Sequence, residues 1–344
     1  MDLTIVVGTG RCGSTMLSRI LGRHPDVLSV AEFFSSLAVG RELPTHDMDG
    51  EELWQYMSRP ADQMDALMVA GLRPPELRYP YPPEGTGRFS PATGVPVICH
   101  CMLPNLTDDP DTLYDKLAAE VPNWPRRTAA DQYRAVFGYL AALLGRRVVV
   151  ERSGASLPRI RRMRALFPEA RFVHLHRDGP DCALSMSRHP SFRWQILAAA
   201  AVVQSKLPHD TPLEQVQETL PERLHGLICP PYDAQKFMSY PLPVSLFAER
   251  YWSWMVREGV TALRELPHGT WASVKYEHIL ADPDRELTAL AGFIGVPATE
   301  SWLASARELI DPGRTGQAAA QLDPDTLASV RRACEPGVEA ILAS

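Results

Sequence analysis

The sequence predicts an α/β fold: a doubly wound, mainly parallel sheet in a three-layer sandwich, interrupted by helical and proline-rich insertions. Three observations predict it. Five apolar runs have the length of strands: Leu3–Val7 and residues 27–30, 147–150, 171–175 and 271–274. Segments with helical spacing lie between them at 14–23, 131–144 (closed by Gly145), 157–167 (closed by Pro168) and 180–187. Alternation of strand and helix implies parallel pairing through helical crossovers. Each run also ends in polar residues: Gly8 and its loop, Glu32, Glu151-Arg152-Ser153, His176-Arg177-Asp178 and Lys275-Tyr276-Glu277. Ligands of such sheets bind at the carboxyl ends of the strands, so these residues are the candidates for a site.

The first of those ends carries the most chemistry. Residues 8–15, GTGRCGST, form a glycine-punctuated loop between a strand and a helix that opens with Ser14, Thr15, Met16 and Leu17. Backbone N–H groups and a helix N-terminus then converge on one small volume suited to an anion. The loop nearly meets Gly-x-x-x-x-Gly-Lys-[Ser/Thr] through Gly8, Gly13, Ser14 and Thr15, but Ser14 stands where the lysine belongs. Arg11 is the loop's cation. ATP or GTP phosphoryl transfer needs that lysine and a magnesium ligand. The fold is therefore P-loop-like and nucleotide-binding, with a phosphate site unlike that of an ordinary NTPase. Cys12 reads as a small loop residue rather than a nucleophile. Ser14 and Thr15 suit helix capping as well as phosphate binding.

Composition bounds the rest. With 344 residues and 45% apolar content, the chain is expected to form a single domain over 1–344. A net charge of −6 argues against a nucleic-acid partner. Arg146, Arg147, Arg152, Arg159, Arg161, Arg162, Arg164 and Arg171 cluster locally, as a solvated face or as part of a site. The N-terminus enters a strand without a basic leader, and no apolar stretch reaches membrane-spanning length. The six cysteines lack paired spacing, which predicts a reducing, cytoplasmic setting. Cys99 and Cys101 flank His100 on what reads as a short strand, a weak metal pattern; no metal is expected.

Residues 41–125 hold 13 of the 31 prolines, with tyrosines at 79 and 81. They exclude long helices, yet are too apolar for disorder. This segment and 190–243 are expected to be insertions forming a substrate lid. Trp54, Tyr56, Tyr79, Tyr81 and Trp124 are its candidates for stacking on a sugar or aromatic, or for covering an acyl chain. A long helix is expected over 244–266, with Tyr251, Trp252 and Met255 buried. A last helix over 324–342 is expected to break near Pro336.

The loop GTGRCGST with HPDVLSVAE (24–32), the segment RFVHLHRDGPDCALSMSRHP (171–190) and WASVKYEHILADP (271–283) together resemble the sulfotransferases that use 3′-phosphoadenosine-5′-phosphosulfate (PAPS). The likeness is to the branch of tyrosylprotein and bacterial small-molecule or glycolipid enzymes. It implies transfer of a sulfuryl group to a hydroxyl of a small-molecule, carbohydrate or lipid acceptor, with 3′-phosphoadenosine-5′-phosphate as product and no metal. By the resemblance, Arg11, Cys12, Gly13, Ser14 and Thr15 hold the 5′-phosphosulfate. Arg177 and Ser185, eight residues apart, hold the 3′-phosphate. Tyr276 meets the adenine. Arg314, in a late basic loop, closes the 3′-phosphate. Glu32 matches the glutamate that takes the acceptor proton. Other branches use a histidine there, and His100 or His189 are candidates for that role and for acceptor contact. Arg152 stands where the family carries a lysine on the transferring group, and the proline that follows is missing. Two other readings remain: a P-loop-type small-molecule kinase, with Glu151 after Val148-Val149-Val150 as its acid, and a catalytically inactive nucleotide-binding protein. Oligomeric state is not legible.

Overall fold

The computed structural model describes residues 2–343. Five strands, β1 (Leu3–Val7), β2 (Val27–Ala31), β3 (Val148–Arg152), β4 (Arg171–His176) and β5 (Trp271–Lys275), form one sheet in the order β2-β3-β1-β4-β5. Every neighbouring pair is parallel. β1 to β3 are buried at every position, as strands covered on both faces must be, and so read as continuous apolar runs. The connection from β1 leads to the β3 and β2 side, and that from β4 to the β5 side. A crevice therefore opens beyond the carboxyl ends of β1 and β4, the place where ligands of doubly wound sheets sit.

The helices follow the expected spacing with small shifts at their ends: Ser14–Gly22, Ala129–Leu143 and Gly179–Ser187, with a 3₁₀ turn (Leu157–Arg159) leading into Ile160–Leu166. Phe33, Phe34, Tyr133, Phe137 and Phe167 pack ring against ring beneath β2 and β3.

The two irregular segments are helical in short pieces. Residues 41–125 carry helices such as Gly50–Ser58, Asp62–Val69 and Pro110–Glu120, and 190–243 carry Pro190–Ser205, Leu213–Glu218 and Ala234–Ser239. Leu67 and Leu72 of the first segment join Leu197, Val216 and Phe237 of the second in a separate apolar cluster, so the two segments pack on each other. Cys99-His100-Cys101 is not a strand: Val97–His100 is a helical turn entered from Pro96. Among the described residues, no group of His, Cys, Asp or Glu could hold a metal, all six cysteines are free, and no helix is long and apolar enough to cross a membrane.

Residues 244–264 form one helical column whose middle, Ala248–Ser253, widens to π geometry. The expected break at Pro336 does not occur; Pro324–Leu342 runs straight through it. The π stretch explains why. It presents the Trp252 ring and Ser253 to the turn containing Pro336. The Gly337 amide donates to Ser253 Oγ at 3.1 Å. A Cβ at Gly337 or Gly179 would lie 2.6 or 2.9 Å from that ring, so Trp252 fills the notch the two glycines leave. Packing of that turn offsets the backbone bond that proline cannot make. Trp252→Ala is therefore expected to lower stability by about 3–5 kcal/mol. Urea denaturation measures it, and a loss below ~1 kcal/mol would contradict this account of the three-helix junction.

Candidate functional site

All five strands deliver their following residues to one cavity of about 580 Å³. β1 contributes Gly10, Arg11 and Gly13 to Met16, with the buried Cys12 outside the lining, β2 Glu32, β3 Arg152 and Gly154, β4 Arg177 and β5 Tyr276. Three of the four non-glycine residues with left-handed backbone, Arg11 (φ 56°), Glu32 (φ 60°) and Ala155 (φ 50°), line it among the described residues. Such conformations cost on the order of 1 kcal/mol or more each, and they cluster where side-chain direction matters.

The loop after β1 is built for close approach. Gly13 has φ 89°, and a Cβ there would come within 2.1 Å of the Tyr276 ring. Glycine lets the loop lie directly on that ring. The helix Ser14–Gly22 has Gly13 as its N-cap, no side-chain cap and no acidic residue in its first turn. Its leading N–H groups are thus left to whatever enters the cavity. The capping role considered for Ser14 and Thr15 is not what they do. Burial pushes the Cys12 thiol up, so it stays neutral and inert.

Arg11 bridges two parts of the site that the sequence leaves separate. Its Nε donates to Ser185 Oγ at 3.0 Å, and its Nη1 lies 3.4 Å from Glu76 Oε2. Arg177 stacks over the Tyr276 ring at 4.7 Å. Its Nη2 donates to the buried Asp181 at 3.0 Å and to the Arg314 carbonyl. Asp181 in turn accepts from the Ala318 amide at 2.8 Å. The ion pair with Asp181 and a position in the cavity are thus compatible; the pair holds the fork in place. The Arg177 Nε has no partner in this buried setting. The Arg314 side chain is exposed at the rim, paired with Asp311 at 3.0 Å.

On the other side, Glu32 and Arg152 form a nearly buried ion pair through Oε1 and Nη1. Glu32 Oε2 accepts from the Ser35 hydroxyl and, at 2.9 Å, from the Gly154 amide. A carboxylate has about four acceptor sites, and three are taken, so one remains for an incoming hydroxyl. His189 offers no open nitrogen. His189 Nδ1 accepts the Ser191 amide at 3.2 Å, so Nε2 carries the proton and donates to Glu76 at 2.9 Å. His100 has Nδ1 against the Tyr81 hydroxyl at 2.8 Å, while its buried Nε2, 3.3 Å from Asp65 Oδ1, makes no hydrogen bond.

Some expectations are corrected. None of Trp54, Tyr56, Tyr79, Tyr81 and Trp124 lines the cavity; Tyr79 and Tyr81 are buried in packing, with Tyr79 donating to Asp111. The apolar lining is mixed: Met16, Val39, Ala61, Met64, Leu77 and Val97 with the rings of Phe192 and Tyr276, and Ser35, Ser191 and Gln195 add neutral polar groups. Of the arginine cluster, Arg152 alone lines the cavity, while Arg147, Arg161 and Arg162 pair with Asp26, Glu265 and Glu42 at the surface. One carboxylate of the cavity, Glu76, is not singled out by the sequence. Glu76 lies in a segment with no recognisable pattern. Glu151 reads as a metal acid yet faces inward: its Oε1 accepts from Ser153 Oγ at 2.6 Å and from the Phe34 amide, its Oε2 has no partner, and it does not reach the cavity.

No family model matches the sequence, and no curated protein matches it. Solved structures do. The sulfotransferase domain from the curacin biosynthetic pathway is 14% identical, with 97% of each chain covered and a TM-score of 0.48. The sulfotransferase domain from the Synechococcus PCC 7002 olefin synthase is 16% identical, covering 97% of this chain and 93% of its own, at 0.47. Sulfotransferase STF9 from Mycobacterium avium is 14% identical, covering 99% and 76%, at 0.43.

Glu151 supplies a test of the charge layout. Burial, with the nearby Glu32 charge, outweighs the Ser153 hydrogen bond and pushes its acid up to about 8. The folded protein then keeps a proton that the unfolded chain gives up near pH 4.5, so this group costs stability progressively as pH rises from about 5 to 8. Glu151→Gln removes that cost. Its stability relative to wild type should grow by about 1 kcal/mol per pH unit across this window. Chemical denaturation at pH 5 and pH 8 decides; a difference independent of pH would show that Glu151 is ionised in the fold.

Proposed function

We propose that this chain is a PAPS-dependent sulfotransferase acting on a hydroxyl of a small-molecule, carbohydrate or lipid acceptor. The observation that carries the reading is the convergence of two anion-binding groups on one cavity. The first is the uncapped helix N-terminus with Gly13, Ser14 and Thr15. The second is Arg177 with Ser185, joined to the first by Arg11. A donor with a 5′-phosphosulfate and a 3′-phosphate presents two anions at a fixed separation and suits such a pair. Arginine forks grip phosphate in two bonds at once, which favours this pairing over a single phosphate.

In this reading the 5′-phosphosulfate lies on the loop and the helix N-terminus, the 3′-phosphate on Arg177 and Ser185 with Arg314 at the rim, and the adenine near Tyr276. Arg11 and Arg152 stabilise charge that grows on the leaving phosphate and on the sulfuryl oxygens. The bond from sulfur to the phosphate oxygen breaks and one from sulfur to the acceptor oxygen forms. The acceptor proton passes to the free lone pair of Glu32, which Arg152, Ser35 and Gly154 hold in place. Residues 41–125 and 190–243 form the acceptor side as a lid. Free cysteines throughout fit a cytoplasmic setting.

A kinase reading lacks support here: Ser14 occupies the lysine place, and Glu151 is turned away from the cavity. Incubating the protein with labelled PAPS or labelled ATP and a panel of hydroxylated acceptors tests the choice. Label should move from PAPS alone, with EDTA present. Glu32→Gln should lower that turnover by about 10²–10⁴ with little change in nucleotide affinity. Transfer from ATP and never from PAPS would overturn the proposal, and an undiminished Glu32→Gln would remove Glu32 as the base.

A further inference from the structure

Glu76 reaches the charged end of the cavity from outside the sheet. It lies in the turn after Pro74 and Pro75, within the 41–125 segment. Its neighbours fix it on three sides: the Arg73 guanidinium donates to the Leu77 carbonyl at 2.8 Å, the Arg78 amide to the His100 carbonyl at 3.1 Å, and the Cys101 thiol to the Glu76 carbonyl at 3.7 Å. Its carboxylate accepts from His189 Nε2 at 2.9 and 3.0 Å and pairs with Arg11 at 3.4 Å. Burial pushes this acid up, but the His189 hydrogen bond and the Arg11 charge outweigh it and hold it below the usual carboxylate range. The guanidinium that pairs with Glu76 is the same one that bonds Ser185. A fixed anion thus already sits beside the cation that a phosphate must use.

We infer that Glu76 is a positioning and specificity-determining residue: an internal counter-anion that holds Arg11 ready beside Ser185 and is exchanged for a phosphate of the incoming ligand. The inference rests on the donor-binding reading above for the identity of that ligand, but not for the exchange itself. Two anions cannot share Arg11 at contact distance without strong mutual repulsion. The entering phosphate takes the guanidinium, and Glu76 keeps only its bond to His189. A singly charged anion competes poorly with a carboxylate already in place, whereas a multiply charged one repays the exchange. Because Glu76 belongs to the segment that walls the acceptor side, losing its tie to Arg11 also loosens that segment when the anion enters. This favours binding of the donor before the acceptor.

Removing the charge while keeping the shape tests this. With Glu76→Gln, calorimetry in EDTA should show about 5–20-fold tighter binding of 3′-phosphoadenosine-5′-phosphate, and likewise of inorganic pyrophosphate, than with wild type; a carboxylate that merely supports the fold would give weaker binding when replaced. In the wild-type protein, pyrophosphate should also speed amide hydrogen exchange over residues 73–81, a measurement that needs no variant. Unchanged or weaker anion binding by Glu76→Gln, exchange over 73–81 unaffected by pyrophosphate, or pyrophosphate bound by neither protein would overturn the inference. If wild type still binds the bisphosphate nucleotide in those cases, the donor reading stands. If pyrophosphate prefers Glu76→Gln while the nucleotide binds neither protein, the exchange stands and the donor reading falls.

Discussion

Parallel register is the constraint on which the rest of this structure depends. Val7 stands opposite His174, Ala31 opposite Arg152 and His176 opposite Lys275, so the strands end in nearly one layer. The residue after each strand therefore emerges at the same edge. Glycine loop, Glu32, Arg152 with Gly154, Arg177 and Tyr276 share a cavity for that reason and no other. A slip of one residue in any strand would turn its polar end residue toward the opposite face of the sheet. The left-handed turns at Arg11 and Glu32 are then local adjustments that aim side chains already delivered to the right place.

Four of the arginines lining the cavity sit in ion pairs; Arg19, which also lines it, is in none of them among the described residues. Arg152 has Glu32, Arg177 has Asp181, Arg11 has Glu76 and Arg314 has Asp311. Burying Arg152, Arg177 or Arg11 alone would be expensive, and their pairs lower that cost, whereas the Arg314 pair is exposed. The pairs differ in consequence. Asp181 also accepts the Ala318 amide and is locked from behind, so Arg177 keeps its orientation whatever binds. Glu76 has no such backing beyond His189, and its pair can open. A net charge of −6 is therefore no obstacle to anion binding: the acids sit behind or beside the cations that a ligand meets first.

The sheet was legible because buried parallel strands leave continuous apolar runs, and their polar ends mark the site. All five runs became strands with ends shifted by a residue or so. Local reading failed where tertiary contacts decide. Pro336 looks like a helix break in isolation, but the π stretch at 248–253 supplies a partner surface that no local window reveals. The 97–101 stretch alternates like a strand, yet Pro96 launches it as a helical turn. Aromatic residues at 54, 56, 79, 81 and 124 suggest ligand stacking, whereas the insertion needs them to build its own packing against a sheet it cannot extend. Glu76 carries no signal at all in sequence: a glutamate after two prolines becomes informative only when the fold sets it against Arg11 and His189.

The central claim is that the cavity recognises two phosphates at a fixed separation. Calorimetric comparison of 3′-phosphoadenosine-5′-phosphate with 5′-AMP, both in EDTA, tests it most directly. The added phosphate should bring charge-assisted bonds to Arg177 and Ser185 worth about 1.5–3 kcal/mol each, so the bisphosphate should bind at least tenfold more tightly without magnesium. Equal affinity for the two nucleotides, or binding of either that requires magnesium, would contradict it.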